Sequence, residues 1–449
     1  MDVVVVQTAT ASTYKISGQG ATDIAASIET GIAQGELAPG AALPPIRDLA
    51  AGLSVNPNTV SAAYRLLRER GAVETAGRRG TRVRERPATA PRNLSFPIPD
   101  GTRDLANGSP DARLLPELRF GDHAASTPRL YAGAQVLPGL LAAARVRLAA
   151  DGVAAEHLTL AFGAGDAIER VFAAHLRPGD AVAVEDPGWG TVFHLLPAMG
   201  LTPVPVRVDD EGMIPAGLAK ALARGVRAVM VTSRAQNPTG AAISAARAAE
   251  LRGLLRGHPT VLVLEDDHGA DINSDHPLQS VVGDTPHWAH IRSVSKAYGP
   301  DLRCALVAAD ETTAARVAGR LRLGPGWVST LIQEEIRRLW TDPEAERQVA
   351  AACASYAERR SALIAALAGR GVPAHGATGI NVWIPVPEEA PVVSSMLSAG
   401  WAVAPGAWFR KESPPGVRIT VSTLEPAEIE PIADAVAQAL RTEAGVAAI

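Results

Sequence analysis

Apolar positions fall into two regimes along the chain. Over the first eighty-odd residues they recur at helical spacing: Ile24, Ile28 and Ile32 form one stripe, and Val60, Tyr64 and Leu67 another. Further on, short unbroken runs (Ala181–Val184, Ala228–Val231, Val261–Leu264) alternate with stretches rich in Ala and Leu. Runs of that kind predict buried parallel strands joined by helical crossovers. From Pro87 to about Pro110, Pro, Ala, Thr, Asn, Gly and Asp replace periodicity, which predicts a linker. No internal repeat of fixed period is present.

In the N-terminal regime, Thr22 and Asp23 precede the first helix. Leu43-Pro44-Pro45-Ile46-Arg47-Asp48-Leu49-Ala50 predicts a second, with a proline in its first turn, where a missing N–H costs nothing. After Gly52-Leu53-Ser54-Val55, Asn56 caps a third, with Pro57 at its first position. Three helices with a tight turn between the last two make a helix-turn-helix. The third exposes Asn56, Asn58, Thr59 and Ser61 at the end that such helices push into the major groove of double-stranded DNA. Residues 71–77 read as a strand and turn and 78–83 as a returning strand, which puts Arg78 and Arg79 on a hairpin tip suited to phosphate contacts.

Length and charge sharpen this picture. At 449 residues the chain is about three times the ~150-residue domain norm, so more than one domain is expected. Its formal charge of −4 argues against a protein that is basic all over, yet Arg65 to Arg86 holds eight Arg against three Glu. Any nucleic-acid contact therefore belongs to that local patch. Cys304 and Cys353 are too few for a disulfide framework and lack metal-ligand spacing, which points to a reducing cytoplasm. No uncharged run approaches the ~18 apolar residues of a membrane span.

The second regime carries an ordered series of chemically unusual residues. Gly163-Ala164-Gly165 lies between an apolar strand and a helical stretch, so backbone N–H groups are available to a phosphate. Trp189 follows the next strand and offers a ring on which a flat heterocycle can stack. Asn237-Pro-Thr-Gly240 and Glu265-Asp266-Asp267-His268 each follow an apolar strand, at the edge where open α/β sheets bind ligands. The acidic cluster lacks the second cluster that a metal site needs, so no metal is expected. In Ser293-Val-Ser-Lys296, a lysine of depressed pKa is able to form a Schiff base with an aldehyde. Arg303, seven residues on, suits bidentate phosphate binding, with Ser293 adding a hydroxyl.

Residues 20–84 resemble the winged helix of the GntR family, on Leu43–Ala50, Asn58-Thr-Val60, Tyr64 and Gly71. That resemblance implies DNA binding by Arg47, Thr59 and the wing. From about Asn107 to Val436, the glycine turn, aromatic, Asn-Pro-Thr-Gly, Asp, Ser-x-Ser-Lys and Arg resemble fold-type I pyridoxal-phosphate aminotransferases. The resemblance implies that Lys296 forms the Schiff base, Asp266 pairs with the ring nitrogen, Asn237 bonds the ring oxygen and Trp189 stacks. It places the phosphate among Ala164, Gly165, Ser293 and Arg303, with Tyr131 reaching it from a second subunit. Arg418, in Val417-Arg-Ile-Thr-Val421, matches the arginine that holds a substrate α-carboxylate. Three departures stand out: His268 replaces a usual tyrosine near the ring oxygen, Asp166 a common glutamine, and the stretch after Tyr131 lacks the usual arginine.

The combination resembles the MocR type of bacterial regulator. The implied architecture is multidomain: an α+β winged helix-turn-helix over 13–86, a linker over 87–107, and a fold-type I α/β domain over 108–445 with a mostly parallel sheet and a smaller C-terminal α/β subdomain. The implied protein is a homodimeric, cytoplasmic regulator that binds double-stranded DNA and senses pyridoxal 5′-phosphate, or its adduct with an amino acid or amine, through Lys296. The same residues also suit an aminotransferase with an appended DNA-binding domain, and a cofactor-free scaffold is a third reading.

Overall fold

The computed structural model describes residues 4–7, 13–69, 72–75, 80–84, 98–120, 130–131, 135–273 and 276–446. Arg78 and Arg79 and most of the expected linker lie outside these residues. The chain divides into two compact units, one built on residues 1–92 and the other on most of residues 93–449.

In the first unit, strands β1 (Val4–Gln7) and β2 (Thr13–Ile16) pair antiparallel ahead of helices α1 (Ala21–Ala33), α2 (Ile46–Gly52) and α3 (Pro57–Glu69). Ile24, Ile28, Leu49, Val60, Tyr64 and Leu67 are buried together, as the helical spacing predicts. Pro45 stands at the N-cap of α2 in extended conformation and not in its first turn, which equally leaves its missing N–H outside the helix. Ser54 takes a left-handed φ of 53° in the tight turn to α3. There the Asn56 Oδ1 accepts from the Asn58 N–H at 2.8 Å, capping the helix as expected. The Tyr64 hydroxyl donates to the Pro44 carbonyl at 2.7 Å and ties α3 to the approach of α2. Strands β3 (Val73–Thr75) and β4 (Thr81–Val83) form the antiparallel wing.

The second unit is built on strands β5 (Arg103–Asp104), β6 (Leu158–Ala161), β7 (Ala181–Asp186), β8 (Thr202–Asp209), β9 (Gly212–Met213), β10 (Ala228–Thr232), β11 (Leu262–Asp266), β12 (Trp288–Ser293) and β13 (Ala305–Ala309). Its helices are α4 (Pro138–Ala150), α5 (Ala164–His175), α6 (Gly190–Ala198), α7 (Pro215–Ala223), α8 (Ala245–Arg256), the single turn α9 (Ser295–Tyr298), α10 (Glu311–Leu323), α11 (Thr330–Thr341) and α12 (Pro343–Ala368). The large sheet runs β6-β13-β12-β11-β10-β7-β8-β9. Strands β7, β10, β11 and β12 are mutually parallel, while β13 is antiparallel to both neighbours. Every residue of β10, β11 and β12 is buried, which is why β10 and the start of β11 read as apolar runs, whereas β12 buries His290 and Arg292 against Glu265 and Asp267.

A smaller layer follows, with β14 (Asn381–Pro385), α13 (Glu389–Ser398), β15 (Trp401–Ala402), β16 (Ala404–Pro405), β17 (Gly416–Thr420) and α14 (Ile429–Val446). Its three-stranded antiparallel sheet β14-β17-β16 packs a separate core that includes Val382, Ile419, Met396 and Val436. Arg103 and Asp104, read from composition as linker, form β5, which pairs in parallel with β15. Short, glycine-bearing polar sequence looks alike in a linker and in a tight connection.

Candidate functional site

The register that aligns Thr232 with Asp266, and Asp266 with Ile291, brings the carboxyl ends of β10, β11 and β12 to one edge. The loops leaving that edge carry Asn237, His268 and Lys296. The chain leaves β6 through Gly163, at φ 86°, and enters α5 with Ala164 and Gly165 in its first turn. The Trp189 ring lies against the helix start, 3.7 Å from where a Cβ on Gly165 would stand, an ordinary contact distance. Arg303 is exposed, in a left-handed conformation, with Nη2 at 3.5 Å from the Phe162 carbonyl. The carboxylate of Asp166 accepts from the Phe162 N–H at 2.9 Å and from Arg170 Nε at 2.8 Å. Its charge is therefore offset one helical turn away.

Lys296 rides on α9, and its Nζ donates to the Gly108 carbonyl at 2.5 Å. Burial and the nearby Arg418 guanidinium pull its pKa down to about 8. Asp266 is 1% exposed. Its Oδ2 accepts from His268 Nδ1 at 2.9 Å, while its Oδ1 is buried with no hydrogen-bond partner. Arg418 Nη1 donates to Asn237 Oδ1 at 2.9 Å, and Nη2 donates to the Ala106 carbonyl. The guanidinium lies 4.6 Å from the centre of the Phe409 ring. Burial pulls Arg418 down to about 10, and among the described residues no carboxylate stands within salt-bridge distance of it. A buried guanidinium held only by neutral oxygens carries an uncompensated charge that an anion would suit.

One cavity of about 340 Å³ takes in Ala164, Gly165, Trp189, Asn237, Asp266, His268, Ser293, Lys296 and Arg303. Contiguous space, sharing Asn237, His268 and Lys296, reaches Arg418. Tyr131 lines neither; it is 88% exposed and packs edge-on against Trp327. In the first unit Arg47, Asn56, Asn58 and Ser61 are exposed and Thr59 partly so. Sequence reasoning missed Asn107, Gly108, Thr191, Ser295, Trp408 and Phe409 on the cavity walls. Only the glycine turn at Asn107-Gly108 carries a local signal, and it falls within apparent linker.

These residues fit pyridoxal phosphate. Lys296 offers an amine of lowered basicity, the open oxygen of Asp266 an acceptor for a protonated ring nitrogen, Trp189 a face for the ring, and the start of α5 with Ser293 and Arg303 donors for a dianion. Among the described residues no group of three or more His, Cys, Asp or Glu side chains is placed to hold a metal ion. No helix among them is long and apolar enough to cross a membrane.

Comparison with known proteins agrees with both units. Residues 21–83 match the bacterial regulatory proteins of the gntR family, and residues 137–436 match the aminotransferases of class I and II. PtsJ of Salmonella typhimurium, a vitamin B6 salvage pathway transcriptional repressor, is 42% identical over 430 residues, covering 95% of this chain and 99% of its own length. PdxR of Corynebacterium glutamicum, a pyridoxine biosynthesis transcriptional regulator, is 26% identical over 326 residues, 67% of this chain and 68% of its own. Among solved structures, the kynurenine aminotransferase of Pyrococcus horikoshii matches with a TM-score of 0.69 at 19% identity, spanning 77% of this chain and 92% of its own. The α-aminoadipate aminotransferase LysN of Thermus thermophilus matches with 0.67 at 21% identity, spanning 77% and 94%. A GntR winged helix and an aminotransferase class I and II domain in one chain, with a regulator similar along nearly its whole length, make this protein a member of the MocR-type transcription regulators.

Proposed function

We propose that this regulator binds double-stranded DNA through its winged helix and senses pyridoxal 5′-phosphate, or the adduct of that cofactor with an amino compound, through a Schiff base on Lys296. The observation that carries the reading is the pairing, in contiguous space, of a lysine of lowered basicity with a buried carboxylate whose second oxygen has no partner. When bound, the cofactor supplies an aldehyde for an amine and a cationic ring that draws electrons from an attached carbon. Lys296 acts as the amine nucleophile, and its lowered pKa raises the neutral fraction at physiological pH. Asp266, at the end of β11, holds a proton on the ring nitrogen through Oδ1. Asn237 orients the ring oxygen and also fixes Arg418. Arg418 provides a planar fork for a carboxylate, which makes an α-amino acid the favoured amino partner.

In the DNA-binding unit, Asn56, Asn58, Thr59 and Ser61 at the start of α3 read the major groove. Arg47, Arg78 and Arg79 supply phosphate contacts. We further propose that the protein works as a cytoplasmic homodimer, with domains over 13–86 and 108–445 and Tyr131 reaching a second subunit's cofactor. The test is direct: protein mixed with pyridoxal phosphate develops a long-wavelength absorption band that Lys296→Ala lacks, and DNA affinity changes with it. No band in the wild type defeats the reading. The rival, an aminotransferase with true turnover, draws on the complete set Asn237, Asp266, Lys296 and Arg418. Several product equivalents per site with amino donors and 2-oxo acids favour that enzyme, and a single stalled adduct favours the sensor.

A further inference from the structure

We propose that His268 is a positioning residue: its imidazole holds Asp266 by one oxygen and shares that carboxylate's charge, so that the ring-nitrogen subsite is a histidine–carboxylate pair and not a lone carboxylate. The proposal rests on the cofactor reading and deepens it. From sequence, His268 was expected near the ring oxygen in place of a tyrosine. In the structure its Nδ1 donates to Asp266 Oδ2 at 2.9 Å, leaving only Oδ1 open. With Nδ1 spent in this way, Nε2 carries a hydrogen only when the ring is charged.

The groups around the pair decide its charge. Asp267, next in the chain, is taken up by Arg234 Nε at 2.8 Å and Arg292 Nη2 at 2.9 Å, so Asp266 is the carboxylate that His268 answers to. Burial and the Lys296 amine oppose the imidazolium, while Asp266 and Asp267 favour it, and the balance holds His268 above its ordinary pKa. Glu185, from β7, is also felt by Asp266 and is pushed up to about 7 by burial, so it is about half ionised at neutrality and adds little negative charge only well below it.

A carboxylate that shares its charge with an imidazolium holds a proton on a ring nitrogen less firmly than a lone one does. The cofactor ring then draws electrons less strongly from an attached carbon, which favours a retained adduct over turnover.

The test is solid-state nitrogen NMR of ring-¹⁵N pyridoxal phosphate bound to the full chain, between pH 5 and 8. In H268N, where an uncharged amide replaces the imidazole, the ring nitrogen stays protonated to a pH about one unit higher than in the wild type, a roughly tenfold shift. H268Q gives the same shift and guards against one variant failing to fold. Asp266→Asn moves the signal to its deprotonated position. Coincident titrations in wild type, H268N and H268Q overturn the pair while leaving cofactor binding intact. A wild type without the long-wavelength band overturns the cofactor reading itself, and the pair with it.

Discussion

Lys296 joins a long charged side chain to a place where charge is disfavoured. With its pKa pulled down to about 8, roughly a tenth of the amines are neutral at pH 7, against fewer than ~1 in 1,000 for a lysine at ~10.4. Because the neutral amine attacks, the rate of cofactor incorporation, followed by stopped-flow absorbance, should rise about fivefold from pH 7 to 8 and level off by pH 9. A rate still climbing tenfold per unit at pH 9 would show an unperturbed lysine. Arg418 makes a separable prediction. Arg418→Gln should cost about 2 kcal/mol, roughly thirtyfold, in affinity for an α-amino acid added to the loaded protein, a larger loss than in cofactor affinity, on which Arg418 acts only through Lys296 and Asn237. Spectral titration reads both. Lys296, Asp266 and Asn237 were legible in the sequence because their chemistry demands particular residue types in order at strand ends. The partner of His268 was not, since Oδ1 and Oδ2 of one aspartate are distinguished only in three dimensions.

Among the elements, residues 103–110 had the least legible role. Composition marks them as linker, yet Leu105 bonds both Ala402 and Thr420 through its backbone, and Asp104 accepts from the Ala106 N–H and from Asn107 Nδ2, each at 2.8 Å. The Ser109 carbonyl accepts from the Ser422 hydroxyl at 2.5 Å. Between these anchors the carbonyls of Ala106 and Gly108 meet Arg418 and Lys296. Carbonyl oxygens belong to every residue, so the sequence carries no trace of this contact beyond the glycine itself. Gly108 has φ +69°, and a Cβ there would stand 3.1 Å from Arg418 Nη2. Gly108→Ala should therefore destabilise the second unit by about 1 kcal/mol and weaken carboxylate binding, measured by thermal melting and spectral titration. The three N-terminal helices, by contrast, were readable from period, and α3 also from its Asn-Pro start, because these are local signals; α1 begins at Ala21 behind Gly20, so Thr22 and Asp23 lie in its first turn and do not precede it. At their recognition end, Thr59→Ala and Asn58→Ala should reduce discrimination between DNA sequences. Arg47→Ala should weaken all sequences alike and lower the slope of log affinity against log salt by about one.

Across the whole molecule, regulation requires that the cofactor bind two states of the protein with different affinity, and that DNA do the same. The cavity lies wholly within the second unit and the residues proposed to face DNA within the first, so any coupling must be carried between units and not within one site. That organisation was visible in the sequence as a change of hydrophobic period on either side of a polar stretch, whereas the size of the coupling has no sequence signature. Linkage sets its scale at ~1–3 kcal/mol, or about 5–150-fold in DNA affinity. The decisive measurement is a pair of binding isotherms, at fixed salt, for the full chain on a DNA site selected by the protein itself, with and without pyridoxal phosphate, repeated with Lys296→Ala. A shift in that range in the wild type, abolished in the variant, is the predicted result; superimposable wild-type isotherms from protein that carries the long-wavelength band would contradict it.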